Sequence, residues 1–288
     1  MFTTMIAGLL LMAAPAQQKD TTFSVDPHGR LQIEDLRGDL SIRTWDRPQA
    51  RVVTDDDDAP QLRVDAGSST VRVGFDRFHG QLGGDLEITI PATMAIRVAG
   101  NQGDVQARGL QGEVSIDLIM GSIELTGGRG LVSAHTVQGD VEVHDAQGRL
   151  DFATTSGDLE ASNLSGDLVA KTISGDIQLH RIDAGSADVS TVSGDLTYEG
   201  NVRERGQYSL KAHSGDVTLA APEPVNATIT VSTFSGDFDT DVPLRLNEQQ
   251  GGKRFSFTLG TGSAHVDLES FSGDIHLARP GAAAGTEH

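Results

Sequence analysis

The chain has 288 residues, enough for one long domain or two compact ones. Its 41 acidic side chains outnumber 22 basic ones, and the net charge of −19 argues against nucleic acid and anionic lipid as partners, leaving cations, basic proteins and neutral glycans. Aromatic residues make up only 5% of the chain against 34 glycines, which speaks against a conventional enzyme core and for many short strands joined by tight turns.

In chain order, the first expected element is a secretory signal over residues 1–16. An apolar run from Met5 to Ala14 is followed by Ala14-Pro15-Ala16, whose small residues sit where a signal peptidase cuts. The run is too short to span a bilayer, and no second run of spanning length follows. No cysteine is present, so neither a disulfide nor a lipid-anchoring thiol is expected. Together these predict an exported protein of the periplasm, the extracellular space or the cell envelope.

Residues 21–90 are expected to form an N-terminal β cap with a first coil. Gly29 and Gly38 are nine apart, and then "DRPQARVVTDDDDAPQLRVDAGSSTVRVGF" interrupts the spacing. It reads as longer strands joined by an acidic turn at Asp55–Asp58, with Trp45 packed under the cap. Such a cap would cover a strand edge that otherwise recruits other chains.

Residues 91–279 carry a repeat. Glycines at 103, 112, 121, 130, 139, 148, 157, 166 and 175 are nine apart, and the series continues with small insertions through 185, 194, 206, 215, 236 and 273. Counting from each Gly, apolar residues occupy the third, fifth and eighth places. The third and fifth alternate with polar residues as in a strand with one buried face, and the chain bends before the eighth. Alternate steps differ, so the unit is eighteen residues. Stacked, the units give one file through Ile123, Val141, Leu159, Ile177, Leu196, Val217, Phe238 and Ile275, and another through Leu125, Val143, Ala161, Leu179, Tyr198, Leu219, Thr240 and Leu277. A single coil cannot bury such faces, whereas stacked coils can.

The predicted fold is therefore all-β: a single-stranded parallel β-solenoid (β-helix) of about ten coils, some ~48 Å long at ~4.8 Å per coil. Right-handed winding follows from the general bias of parallel crossovers. A hexapeptide left-handed helix would need an apolar residue every six, and a calcium-loaded β-roll several glycines per nine; neither fits. "RLNEQQGGKRFSFTLGTG" (245–262) reads as an expanded coil or hairpin-like excursion, and 280–288 as a disordered tail.

Each step turns on Gly-Asp. Gly139, Gly157, Gly175, Gly194, Gly215, Gly236 and Gly273 are the expected structural turns, since glycine accepts positive φ without steric cost. The Asp residues after them, Asp140, Asp158, Asp176, Asp195, Asp216, Asp237 and Asp274, stack into a file of carboxylates. Two readings apply: each Asp bonds turn amides, the favoured one, or the row attracts divalent cations along one corner. Polysaccharide-active β-helices need clustered acids beside a base, but here Lys171, Arg181 and Lys211 are scattered. No catalytic residue, cofactor or metal ligand is assigned, and no enzyme activity is expected. His144 and His180 are placed outward two coils apart, and His213 inward in a file with Val137, Ile173, Val192 and Phe234. Arg37-Gly38-Asp39 matches a cell-adhesion tripeptide but is also the Gly-Asp turn.

Several stretches carry a resemblance. "GDLSIRTWDRPQARVVT" (38–54), "LEITIPATMAIRVAGNQGDVQARGL" (86–110), "TISGDI" (172–177) and "SFSGDIHL" (270–277) are similar to the opening strand, repeat entry, recurrent step and terminal step of the putative-adhesin β-solenoid family of bacterial envelope proteins. The likeness spans roughly residues 25–279. It implies an exported, non-catalytic solenoid and supplies no catalytic residues. The expected function is an envelope-binding module that meets a glycan or protein through extended polar faces. The alternatives are an envelope-stress or signalling accessory that binds a membrane protein, and a polysaccharide-active enzyme.

Overall fold

A computed structural model describes residues 19–54, 62–67, 69–75, 84–242 and 254–279. The proposed signal, the acidic turn at Asp55–Asp58 and the tail 280–288 lie outside the described residues, as does much of 245–262. What is described is strand and turn.

The N-terminal strands are β1 (Lys19–Ser24), β2 (Arg30–Arg37), β3 (Leu40–Trp45), β4 (Gln49–Thr54), β5 (Leu62–Ala66), β6 (Thr70–Phe75) and β7 (Leu86–Pro91). The repeats hold β8 (Ala95–Gln102), β9 (Val105–Leu110), β10 (Val114–Met120), β11 (Ile123–Gly127), β12 (Arg129–His135), β13 (Val141–His144), β14 (Gln147–Ala153), β15 (Leu159–Ser162) and β16 (Ser165–Lys171). They continue through β17 (Ile177–Ser193), β18 (Leu196–Gly200), β19 (Gln207–Ser214) and β20 (Val217–Ala220). Then come β21 (Ala227–Ser235), β22 (Phe238–Thr240), β23 (Arg254–Leu259), β24 (Ala264–Ser272) and β25 (Ile275–Ala278).

These strands form one 25-stranded sheet folded into two faces, with β17 running through both. The first face stacks β7, β3, β9, β11, β13, β15, β17, β18, β20, β25 and β22 in parallel, with β4 antiparallel to β7 and β1 antiparallel to β4. The second stacks β6, β2, β8, β10, β12, β14, β16, β17, β19, β24 and β21 in parallel, with β5 and β23 antiparallel at its two ends.

The third-and-fifth rule is met. Ile123 pairs with Val141, Val141 with Leu159, Leu159 with Ile177, Ile177 with Leu196 and Leu196 with Val217. All six side chains are buried, and each contributes roughly 1.5–3 kcal/mol by leaving water.

Two features depart from the sequence reading. First, the coils do not stack strictly in chain order. Ile275 lies between Val217 and Phe238, so the last strand pair, β24 and β25, is inserted between β19–β20 and β21–β22. The chain skips one level, returns through β23 and fills the gap. At the other end β2 and β3 are likewise held between β6–β7 and β8–β9.

Second, the eighth place does not always face inward. Leu164 is buried, but Val137, Ile173, Val192 and Phe234 are about half exposed, and His213 is exposed with them. In those half-turns the strand alternation carries on through Leu168, Ala170 and Thr172, so Thr172 turns inward and Ile173 outward. In the other half-turns a residue with positive φ (Asp145, Asn163, Arg181) breaks the alternation and sends the eighth residue inward. Trp45 is half-buried at the β3–β4 turn; its indole N–H donates to the Gln49 carbonyl at 2.7 Å and Arg47 lies over its ring.

Candidate functional site: the Gly-Asp corner

One long corner of the solenoid concentrates the repeated chemistry. Its turn glycines, Gly139 to Gly273, hold φ between +140° and +158°, where a side chain is strained. An added Cβ at Gly157 would stand 2.1 Å from the carbonyl oxygen of Gly139 one coil away, and at Gly175 2.0 Å from that of Gly157. Glycine is required here twice over, by conformation and by the closeness of the next coil.

The Asp residues form a ladder. The Asp140 carboxylate accepts the backbone N–H of Asp158 at 2.9 Å; Asp158 accepts from Asp176, and Asp176 from Asp195, each at 2.8 Å. Asp195 then accepts from Asp216, Asp216 from Asp274 and Asp274 from Asp237. The ladder extends the other way through Asp104, Asp39 and Asp85, with the Ser122 hydroxyl taking one step. Arg37-Gly38-Asp39 is therefore one rung, and Gly38 shares the positive φ. The amide donors along the ladder offset the repulsion between carboxylates one coil apart.

A second set of bonds closes the corner from inside. Thr136 donates to the Gly121 carbonyl, Thr154 to Gly139, Thr172 to Gly157 and Thr191 to Gly175, at 2.9–3.2 Å, and Ser270 does the same to Gly215. Outside these lies a file of side chains, exposed except for the half-buried Thr155: Ile119, Val137, Thr155, Ile173, Val192, His213, Phe271 and Phe234, stacked through the bridges of the residues that follow them. At its end the rings of His213 and Phe271 stack at 4.9 Å, and those of Phe271 and Phe234 at 4.8 Å.

Elsewhere, the exposed Leu131 apart, the surface is mostly polar and locally paired. His144 and His180 face outward two coils apart with Ser162 between them; His144 bonds Ser162 and Glu142, each at 2.7 Å, and His180 meets Glu199 at 3.1 Å. A groove of about 330 Å³ on the second face is lined by Arg149, Asp167, Asp188, Gln207, His265 and Asp267 among others. The guanidinium of Arg203 beside Asp183, Nε to Oδ1 at 2.7 Å, holds that carboxyl below the usual range. Burial pushes the Tyr198 phenol far up and that of Tyr208 up as well; Tyr208 donates to the Ala184 carbonyl and accepts from the Arg203 amide. Among the described residues no group of three or more His, Asp or Glu is arranged to hold a metal ion, and no helix is long and apolar enough to cross a membrane.

Residues 39–278, nearly all of the described solenoid, match the Toastrack DUF4097 family. The chain belongs to that family. The resemblance read from the repeats is thereby shown. Solved structures are similar at low identity: a putative lipid binding protein from Parabacteroides distasonis ATCC 8503 is 11% identical, with 89% of this chain and 96% of that one covered and a TM-score of 0.50. A putative adhesin from Bacteroides fragilis NCTC 9343 is 12% identical over 90% and 95%, with a TM-score of 0.42. A putative cell adhesion protein from Clostridium sporogenes ATCC 15579 is 11% identical over 91% and 100%, with a TM-score of 0.31. No curated protein matches by sequence.

In this Toastrack chain the sequence reading located the glycines and the Asp file. It missed the exposed apolar file. The signal for it was present in the recurrent Thr before the apolar residue in T-I-S-G-D and T-V-S-G-D, because only one of two adjacent residues on a strand can point inward.

Proposed function

We propose that the protein is an exported, non-catalytic binding module of the cell envelope that meets a glycan or a protein along its length. Its architecture is read as a right-handed solenoid of about ten coils with an N-terminal β cap; the antiparallel strands β1, β4 and β5 at that end support the cap. The observation that carries the function is the outward register. Glu124, Glu142, Glu160, Gln178, Thr197 and Thr218 pair in one straight polar file, offering hydrogen-bonding groups at one fixed step. A repetitive polymer or a long protein surface matches such a file better than a small substrate does. The structural neighbours named as adhesins and as a lipid binding protein agree with binding as the general role. The charge of −19 disfavours an anionic bilayer as the bound surface.

The expected secretory signal over residues 1–16 supports a location in the periplasm or outside the cell. The test is retention: immobilised protein is challenged with envelope glycans and envelope protein extract. Capture of a defined glycan or protein supports the reading. Release of reducing ends from common polysaccharides by the pure protein would overturn its non-catalytic part. The exposed apolar file also favours a second reading, an accessory that docks on a membrane protein.

A further inference from the structure

The apolar file at the Gly-Asp corner has no place in a surface that acts only through polar groups. Ile119, Val137, Ile173, Val192 and Phe271 are 45–52% exposed, whereas outside the file the exposed large apolar side chains among the described residues are Met120 and Leu131. From Ile119 to Phe234 the file crosses seven coil steps, or ~34 Å. It is one residue wide except beside Ile119, where Met120 is exposed as well, and Thr155 and His213 interrupt its apolar run. The Asp ladder runs parallel to it, three residues further along each coil and so within ~10 Å. Among the described residues no cation pairs with a ladder Asp. On the opposite flank the cations are already engaged: Lys171 lies 3.1 Å from Asp188 and Lys211 3.8 Å from Glu269.

This arrangement restricts the occupant. It cannot be a strand added to the sheet, because the corner's backbone is already bonded from coil to coil: Ser174 to Thr155, Gly175 to Ser193 and Ser193 to Ile173. It must satisfy its own backbone and present side chains only, as an α-helix does. A second copy would bring −19 to meet −19, and an anionic lipid surface would be repelled in the same way. We infer that the Ile119–Phe234 strip and the Asp ladder together form the docking surface for a basic amphipathic helix of a partner protein, about 22 residues long, lying along the solenoid axis. Its turns, ~5.4 Å apart, meet side chains ~4.8 Å apart, so an apolar stripe seats on the strip while Lys or Arg on one flank reach the carboxylates. This rests on the binding reading above and names its partner class.

The probe is a labelled 22-residue helical peptide with a Leu stripe flanked by Lys, compared with an isomer of the same composition whose stripe is scrambled. The striped peptide is expected to bind at least tenfold more tightly. The Ile173→Ser, Val192→Ser double variant, both sites exposed, should reduce it to the scrambled level without lowering the melting temperature. The triple variant Asp158→Asn, Asp176→Asn, Asp195→Asn keeps the amide acceptors and should weaken binding and flatten its salt dependence. Equal binding of the two peptides, or binding untouched by the double variant, overturns the inference. So does sedimentation with neutral phosphatidylcholine vesicles, or dimerisation, that depends on Ile173 and Val192. Capture of an envelope partner equally well by wild type and double variant would sink the strip alone; capture of no glycan or protein would sink the general binding reading.

Discussion

The Asp158 carboxylate accepts the backbone N–H of Asp176 at 2.8 Å, and the Asp176 carboxylate repeats this for Asp195. Each Asp is thus both a side-chain acceptor and a backbone donor in one file. Asp176→Ala removes the acceptor for the Asp195 amide and should cost about 1–2 kcal/mol, at the lower end of what a lost charged acceptor costs because the corner is partly wet. Asp176→Asn retains an oxygen there and should cost less than half as much. Urea denaturation of both variants decides it: equal losses would mean that charge, not the amide bond, fixes the residue.

Gly175→Val should unfold several coils. The new Cβ would meet the Gly157 carbonyl oxygen at 2.0 Å, at a φ of +148°. Ile177→Asp, at a fully buried position, should be as damaging, because an unpaired carboxylate would enter an aliphatic file. Gln178→Lys, next in sequence and exposed, should stay within about 0.5 kcal/mol. Thermal melts of the three variants check this, and a stable Gly175→Val protein would contradict the corner geometry.

How far the sequence discloses this structure depends on whether a feature repeats locally. Gly157, Asp158, Leu159 and Ala161 are legible because backbone conformation, turn bonding and burial recur at one spacing. Ile173 was misplaced because a count of apolar residues cannot tell inward from outward where the strand phase shifts; that shift is set by the positive φ of Asp145, Asn163 and Arg181, and nothing about an arginine announces it. The insertion of Ile275 between Val217 and Phe238 is not local at all. It leaves the composition of the file unchanged and alters only its order.

That insertion has a consequence for stability. Ile275 opens β25, the last strand among the described residues, yet is flanked on both sides and fully buried, like Ile177 in the middle. Ile275→Ala should therefore cost about 2–5 kcal/mol, as a central core truncation does, rather than the small loss of a frayed end. Hydrogen exchange should show the β25 amides as protected as those of β20. Rapid exchange of β25 would argue for stacking in chain order.

Two threonines in equivalent places should respond oppositely. Thr154 Oγ1 donates to the Gly139 carbonyl at 2.9 Å, whereas Thr233 Oγ1 is buried without a partner among the described residues. Thr154→Val should cost about 1 kcal/mol, and Thr233→Val should be neutral or stabilising. Chemical denaturation midpoints of the pair give the comparison, and a similar loss at both sites would show that packing, not hydroxyl bonding, decides the position.

Tyr198 offers the pH test. Its ring is fully buried, its hydroxyl has no partner among the described residues, and burial holds its phenol above the ordinary value of 10.0. A group whose folded pKa is raised contributes stability that is fully present below the unfolded pKa and is lost as pH climbs past it, because the unfolded phenol ionises first. Stability should therefore fall steadily above about pH 10. Tyr198→Phe keeps the ring, removes the unbonded hydroxyl and should raise stability at pH 8 by up to about 1 kcal/mol. The same variant should make the alkaline fall shallower, with the residual slope carried in part by Tyr208, whose phenol is raised as well. Denaturation at pH 8, 10 and 11 measures both effects at once, and an unchanged alkaline slope in the variant would show that Tyr198 ionises as freely in the folded protein as in the unfolded chain.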